Sequence, residues 1–278
     1  MPAPRRGSNP VAARDLAGFT SEPFTSSLGV THDVLRRGSG PAVIIIHEVP
    51  GITPLVAAFA RTVADHSMTV VLPSLLGQIG RPPTTGYAVG QIARACVSRE
   101  FTMLATDRTS PITGYLRELA THEHAQCGGP GVGALGMCLT GGFALAMCVD
   151  PVVVAPILSQ PSLPLPIGDK RRRALGVSDE DLAIVKGRVN DGLCVLGLRF
   201  TGDRMAPAER FERLRAELGD NFIGVEIDSS PANAWGYASS AHSVLTEDYS
   251  DHEGSPTRAA LEQVVAFLSS RLRPGDAS

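Results

Sequence analysis

Val43, Ile44, Ile45 and Ile46 put four β-branched residues in succession, with no polar position among them. A run of this kind suits a strand buried on both faces, as in the middle of a parallel sheet. The period then changes. Thr53 is placed to N-cap a helix with Pro54 at its first position, and Leu55, Phe59 and Val63 recur at four-residue spacing along one face, which predicts a helix to about residue 66. Val70 to Leu72 reads as a second strand, and further apolar runs fall at 132–135, 151–154, 193–198 and 222–227. Helical stretches separate them, and a last helix is expected at about 256–272. Strands alternating with helices predict parallel βαβ units, hence an α/β fold with a mostly parallel, doubly wound sheet and helices on both faces. The segments 73–109 and 161–178 are rich in Pro, Gly and charge and read as excursions from strand ends.

Composition narrows the classes. The 278 residues fit one α/β domain, expected at 21–278 behind a loose tail at 1–20. Hydrophobic residues make up 43% and charged residues 19%, the balance of a folded chain rather than a disordered one. Pro or Asp breaks the longest apolar segments, around 41–46 and 143–158, so no membrane span is expected. A net charge of -3 and a pI near 6.2 leave no electrostatic footprint for nucleic acid or an anionic membrane. The run Lys170 to Arg173 therefore reads as a solvated surface stretch. Five cysteines at 96, 127, 138, 148 and 194 do not form a disulfide framework and suit a reducing compartment. Arg5 and Arg6 have no apolar core after them, so a signal peptide is not expected and the location predicted is cytoplasmic. His122, His124 and Cys127 carry metal-like donors, but residues two apart on a helix point to different sides, and no metal site is expected.

The segment most informative about chemistry runs from Gly131 to Cys148. A strand ends at Gly136, Met137, Cys138, Leu139, Thr140, Gly141 and Gly142, and helical Phe143 to Met147 follows. Strand, Gly, any residue, nucleophile and a Gly-rich helix start form the pattern of a nucleophile elbow, with Cys where most such enzymes carry Ser. Small neighbours let the helix pass close to the strand, and a helix N-terminus favours the thiolate form of a cysteine. A buried structural Cys beside a packing turn would leave the same local pattern. Partners in the chain order nucleophile, acid, His decide between the two: Asp203 lies just past the run 193–198, and His242 lies beyond the run 222–227. Both follow predicted strand ends, where open α/β sheets build their sites. Directly after the first buried strand come His47, Glu48, Val49, Pro50 and Gly51. The backbone N–H groups of Val49 and Leu139 are the candidate oxyanion donors. His47 reads as a strand-end packing residue, and Glu48 as either a proton acceptor for the thiol or a cap for the helix that follows.

On these residues the chain resembles the dienelactone hydrolase family, of the α/β-hydrolase superfamily, from about Thr31 to Leu272. The resemblance rests on the Glu48 loop, Pro73 to Gly77, Gly136 to Gly142, Gly202 with Asp203, and His242 with Ser243. It implies an α/β-hydrolase fold and an enzyme that cleaves esters, lactones or thioesters through an acyl-thiol intermediate, without a cofactor. In that reading Cys138 is the nucleophile, His242 the base, Asp203 its orienter and Glu48 the carboxylate that helps activate the thiol. The alternative is a non-catalytic scaffold in which Cys138 senses an electrophile or oxidant. Two positions depart from the family pattern. Thr140 stands where Gly is usual, with the Gly pair one step later, which predicts a less tightly packed elbow or a rotated helix. Thr246 stands where better-known members carry an Arg that holds the substrate carboxylate, so neutral substrates are expected, with Arg99 the one candidate replacement cation.

Overall fold

The computed structural model describes residues 16–97 and 111–273. Eight strands form one sheet in the order β1-β2-β4-β3-β5-β6-β7-β8. They are β1 (Thr20–Thr25), β2 (Thr31–Gly38), β3 (Ala42–Ile46), β4 (Thr69–Pro73), β5 (Val132–Met137), β6 (Val153–Ser159), β7 (Val195–Phe200) and β8 (Phe222–Ile227). β1 and β2 form an antiparallel hairpin that joins β4 antiparallel, and from β4 to β8 every pairing is parallel. This is the mostly parallel α/β sheet expected from the alternation.

Alternation along β3 explains why its residues are all apolar. Val43 and Ile45 face one core, shared with Val56, Phe59 and Val63 of α1 (Pro54–Ala64) and Val264 and Leu268 of α8 (Pro256–Leu272). Ile44 and Ile46 face the other, against Leu116 and Leu119 of α3 (Pro111–Cys127) and Phe143 of α4 (Gly141–Met147). Both faces are covered, so no polar position is tolerated. The Thr53 side chain accepts the Val56 N–H and Pro54 opens α1, as the local pattern predicts, although the helix ends at Ala64 rather than residue 66. The remaining helices are α2 (Thr85–Val97), α5 (Asp169–Arg173), α6 (Asp179–Asn190) and α7 (Ala208–Leu218).

Three elements differ from the sequence reading. β1 and β2 are not foreshadowed by any apolar run, because an edge hairpin exposes most of its residues. The strand expected at 151–154 spans Val153–Ser159, continuing through Pro156, and residues 151–152 are a turn. Of the expected tail, residues 1–15 lie outside the described residues, whereas Leu16 to Phe19 form a turn whose Ala17 carbonyl accepts from Arg37. Among the described residues no helix is long and apolar enough to cross a membrane.

Two buried cations or potential cations hold loops at the carboxyl end of the sheet. Arg210 of α7 is 1% exposed and donates to the carbonyls of Pro161, Pro164, Arg171 and Ala174 at 2.6, 2.6, 3.0 and 2.7 Å. It gathers the excursion after β6 into a fixed course. His47, fully buried, lies 2.8 Å through Nδ1 from the Glu48 carbonyl, while Nε2 accepts the N–H groups of Leu75 and Leu76 at 3.1 and 3.3 Å. It thereby ties the loop after β3 to the loop after β4, the packing role expected of it. Burial, the largest influence, holds its pKa down at about 4 against the Glu48 hydrogen bond that would raise it.

Replacing Arg210 with Met should leave several buried carbonyls without donors and cost about 3 kcal/mol, read as a lower urea midpoint. His47 makes stability acid-sensitive. Between pH 6.5 and about 4 the unfolded chain takes up a proton that the folded imidazole refuses, so stability falls as pH falls. The loss from pH 7 to pH 5 should be about 2 kcal/mol. Glu48, whose pKa is raised, shifts stability in the opposite direction, so the informative quantity is the difference between wild type and His47→Gln. Thermal unfolding at the two pH values should show a smaller acid-induced drop in the variant.

Candidate active site

The elbow is built by close approach. β5 ends at Met137, and Cys138 follows with φ 57°, a left-handed conformation unusual for a residue with a side chain. A Cβ on Gly136 would lie 2.3 Å from the Thr140 carbonyl oxygen, and one on Gly141 would lie 2.6 Å from Pro161 Cα. Only glycine lets this turn and the loop after β6 fit together. Thr140 does not loosen the elbow, contrary to the expectation from its departure. Its buried hydroxyl accepts the Met137 N–H at 3.0 Å and lies 2.8 Å from the Ile46 carbonyl, joining the turn to the end of β3. The Cys138 carbonyl in turn accepts the Ser162 N–H at 2.9 Å.

The loop after β7 carries Asp203. Its Oδ1 accepts the Met205 N–H at 2.8 Å, which leaves Oδ2 to meet His242 Nδ1 at 2.7 Å. Underneath, Arg199 of β7 is 2% exposed, donates to the carbonyls of Thr201 at 2.9 Å and Ala206 at 2.7 Å, and is ion-paired with Glu226 of β8. The two ends of the acid loop are thus fixed from one side chain. A Cβ on Gly202 would lie 2.6 Å from the Ser239 carbonyl, so the acid loop and the His242 loop touch along their backbones. Asp248 caps the second loop, its Oδ2 accepting the N–H groups of His242 and Ser243 at 2.8 and 3.0 Å.

Cys138, His242 and Asp203 are therefore brought together from three separate strand ends. Burial pulls the His242 pKa down, but hydrogen bonds to Asp203 and Cys138 and the charge of both outweigh it and raise the imidazole to about 11. Both partners favour the protonated form of the ring.

Glu48 lies close by but turns elsewhere. Its buried carboxyl accepts from Ser243 Oγ at 2.8 Å, from Gln160 Nε2 at 3.3 Å and from Thr246 Oγ1. Burial pushes its pKa up, and the Thr246 and Ser243 hydrogen bonds and the His242 charge offset only part of that. It does not cap the following helix with its side chain, since Thr53 does so. Thr246, where the resemblance would put an Arg, offers this carboxyl a hydroxyl. Val49 follows Glu48 in the loop after β3, and Leu139 follows Cys138 in the adjoining turn. β3 and β5 are neighbours with Ile46 opposite Gly136, so these two backbones leave the sheet side by side. Arg99 lies outside the described residues.

Sequence reasoning did not anticipate Gln160, Arg199 or Asp248. None sits in a motif, and each acts through a residue far away in the chain or through backbone groups. A cleft of about 550 Å³ opens beside the acid and His loops, lined by Asp203 and His242 together with Arg204, Ser239 and Ser240.

Among solved structures, a dienelactone hydrolase from Anabaena variabilis matches at 17% identity and TM-score 0.56, covering 92% of this chain and 100% of its own. An esterase of Pyrococcus furiosus matches at 12% identity and TM-score 0.57, covering 98% and 99%. A dienelactone hydrolase-like promiscuous phosphotriesterase from metagenomic libraries matches at 13% identity and TM-score 0.59, covering 92% and 100%. At these identities the likeness is one of fold, the α/β-hydrolase fold. No curated protein sequence matches the chain significantly. The family model described as dienelactone hydrolase family matches residues 31–271, the sheet from β2 to β8 and all three loops that carry Cys138, Asp203 and His242. The chain belongs to the dienelactone hydrolase family.

Proposed function

We propose that this chain hydrolyses esters, lactones or thioesters through an acyl-thiol intermediate on Cys138. The observation that carries the reading is the His242 ring bonded to Asp203 at 2.7 Å through Nδ1, with the Cys138 thiol as a further partner of the ring. In the reaction the ring holds the proton that leaves the Cys138 thiol, so that the attacking group is the thiolate. The thiolate attacks the carbonyl carbon, and the Val49 and Leu139 N–H groups receive the oxyanion. His242 gives its proton to the departing alkoxide as the acyl–oxygen bond breaks. The neutral ring then takes a proton from water, the hydroxide attacks the thioester, and collapse of the second tetrahedral intermediate releases acid and thiolate. Asp203 keeps the ring in the tautomer this needs. Glu48 is a positioning residue in this scheme: bonded to Ser243, it acts through the His242 loop and through its neighbour Val49 rather than by contact with the thiol. No step calls for a cofactor.

The environment of Glu48 bears on the substrate. Among the described residues its hydrogen-bond partners are hydroxyls and an amide, with no guanidinium or ammonium among them. Among the described residues no Lys or Arg stands beside Glu48 to pair with a free carboxylate on the acyl group, and an anion buried without such a pair costs several kcal/mol. Neutral acyl groups suit the site better.

Turnover of activated esters separates catalysis from one-time modification of a sensing thiol. Wild type should turn over repeatedly, Cys138→Ala should not, and Asp203→Asn should keep the fold and lose on the order of 10⁴-fold in kcat, by analogy with the serine triad. Near wild-type turnover in Asp203→Asn, or a single burst without turnover in wild type, would overturn the reading.

The charge preference is read from kcat/KM for two esters of one alcohol, one with a neutral acyl chain and one with a terminal carboxylate on it. The neutral ester should be favoured by at least about tenfold. A preference for the anionic ester that disappears in Arg99→Ala would show instead that Arg99 supplies the missing cation.

A further inference from the structure

We infer that His47 is the positioning residue of the oxyanion hole: its ring fixes the direction of the Val49 N–H by holding the carbonyl at the other end of the same peptide unit. This deepens the hydrolase reading, in which that N–H receives the oxyanion, and rests on it. The Glu48 carbonyl and the Val49 N–H belong to one peptide group, which is trans. Such a group is planar, with its C=O and N–H pointing in opposite directions. Whatever holds the carbonyl therefore aims the N–H.

Two donors hold it. His47 Nδ1 lies 2.8 Å from the Glu48 oxygen, and the Gly51 N–H reaches the same oxygen at 2.9 Å. A carbonyl oxygen cannot donate, so Nδ1 carries the proton, whereas Nε2 faces the N–H groups of Leu75 and Leu76 and must be bare. These partners select the neutral Nδ1–H tautomer, and burial keeps the ring neutral. The two N–H groups at Nε2 also stop the ring from turning. Their loop is itself anchored: the Ser74 N–H donates to the Asp33 carbonyl at 2.8 Å, the Gly80 N–H to the Ile52 carbonyl at 2.7 Å, and a Cβ on Gly51 would lie 2.8 Å from the Leu76 carbonyl oxygen. Among the described residues the Val49 N–H has no hydrogen-bond partner. The turn after Cys138 meets the same stretch of chain, with Thr140 Oγ1 2.8 and 3.2 Å from the Ile46 and His47 carbonyls. An unused donor is thus held beside that turn, in a peptide that the hydrogen bonds to its carbonyl polarise.

Substitution separates the two ring nitrogens. In His47→Asn the amide nitrogen stands where Nδ1 was and can hold the Glu48 carbonyl, with nothing left for Leu75 and Leu76. In His47→Gln the amide reaches the Nε2 position and can meet Leu75 and Leu76, with nothing left for Glu48. The probe is 1,1,1-trifluoro-2-hexanone. The Cys138 thiolate adds to its carbonyl carbon, the C=O pair moves onto oxygen as an alkoxide and no group leaves, so its affinity reads the oxyanion hole. Alkylation of Cys138 by iodoacetamide expels iodide and forms no oxyanion, so its rate reports the thiol and the fold. His47→Gln should lose on the order of 10- to 100-fold in ketone affinity and the same factor in kcat on p-nitrophenyl butyrate, with KM little changed and alkylation within about twofold of wild type. His47→Asn should recover most of that loss. Equal losses in ketone affinity and alkylation, a loss in His47→Asn as large as in His47→Gln, or no loss in either variant would overturn the inference. The wild type gives a second measurement: forming the ketone adduct should move the Val49 amide and His47 Nδ1–H proton resonances downfield together, and a Val49 shift alone, or no shift of either, would overturn it. Absence of ester turnover in the wild type would instead sink the hydrolase reading, since the ketone measurements stand without turnover.

Discussion

The hydrogen bond between Asp203 and His242 is the interaction around which the carboxyl end of the sheet is organised. A carboxylate taken out of water must be answered by donors, and a single 2.7 Å contact to a mobile loop would not hold it. The fold answers from several directions. Met205 occupies the second oxygen, Arg199 fixes both ends of the acid loop from beneath, and Gly202 lets the two loops touch along their backbones. Asp248 then stiffens the other side by receiving two successive N–H groups at His242 and Ser243. The imidazole has little freedom left, which is the preorganisation that the proposed proton transfers between thiol and leaving group would require.

Glu48 solves the same problem in another way. Where Asp203 has a charged partner, Glu48 is surrounded by Ser243, Thr246 and Gln160, groups that donate hydrogen bonds without offsetting a full charge. Burial consequently outweighs them and its pKa rises. Of the two buried carboxyls, Asp203 lies against the His242 ring, whereas Glu48 carries the penalty of desolvation. His47 links this carboxyl to the rest of the scaffold, since its ring bonds the Glu48 carbonyl on one side and the loop after β4 on the other. Loops that bear the chemistry are thus held by buried polar groups rather than by regular structure.

Much of this was legible in the chain. The branched run at 43–46 specified a strand buried on both faces, because each residue had to meet one core or the other. Glycines at 136 and 141 marked a turn that leaves no room for Cβ, and the order Cys138, Asp203, His242 followed the order in which three strand ends reach one edge of the sheet. The hairpin β1–β2 was not legible, since an edge that faces water needs no apolar pattern. Pro156 concealed the continuation of β6, because it interrupts the pattern without ending the strand.

By itself, then, the sequence determined the class of fold, the elbow and the residue types that meet there, since burial and tight turns are written in periods of two to four residues. Tertiary structure alone decided how the site is wired. Glu48 meets its partners Gln160, Ser243 and Thr246 across 112, 195 and 198 positions, and Arg199 and Asp248 act on backbone groups that every residue possesses. A hydrogen bond between distant residues leaves no local period, and one made to the main chain leaves no signature in its partner, so both become visible only when the strands are laid side by side.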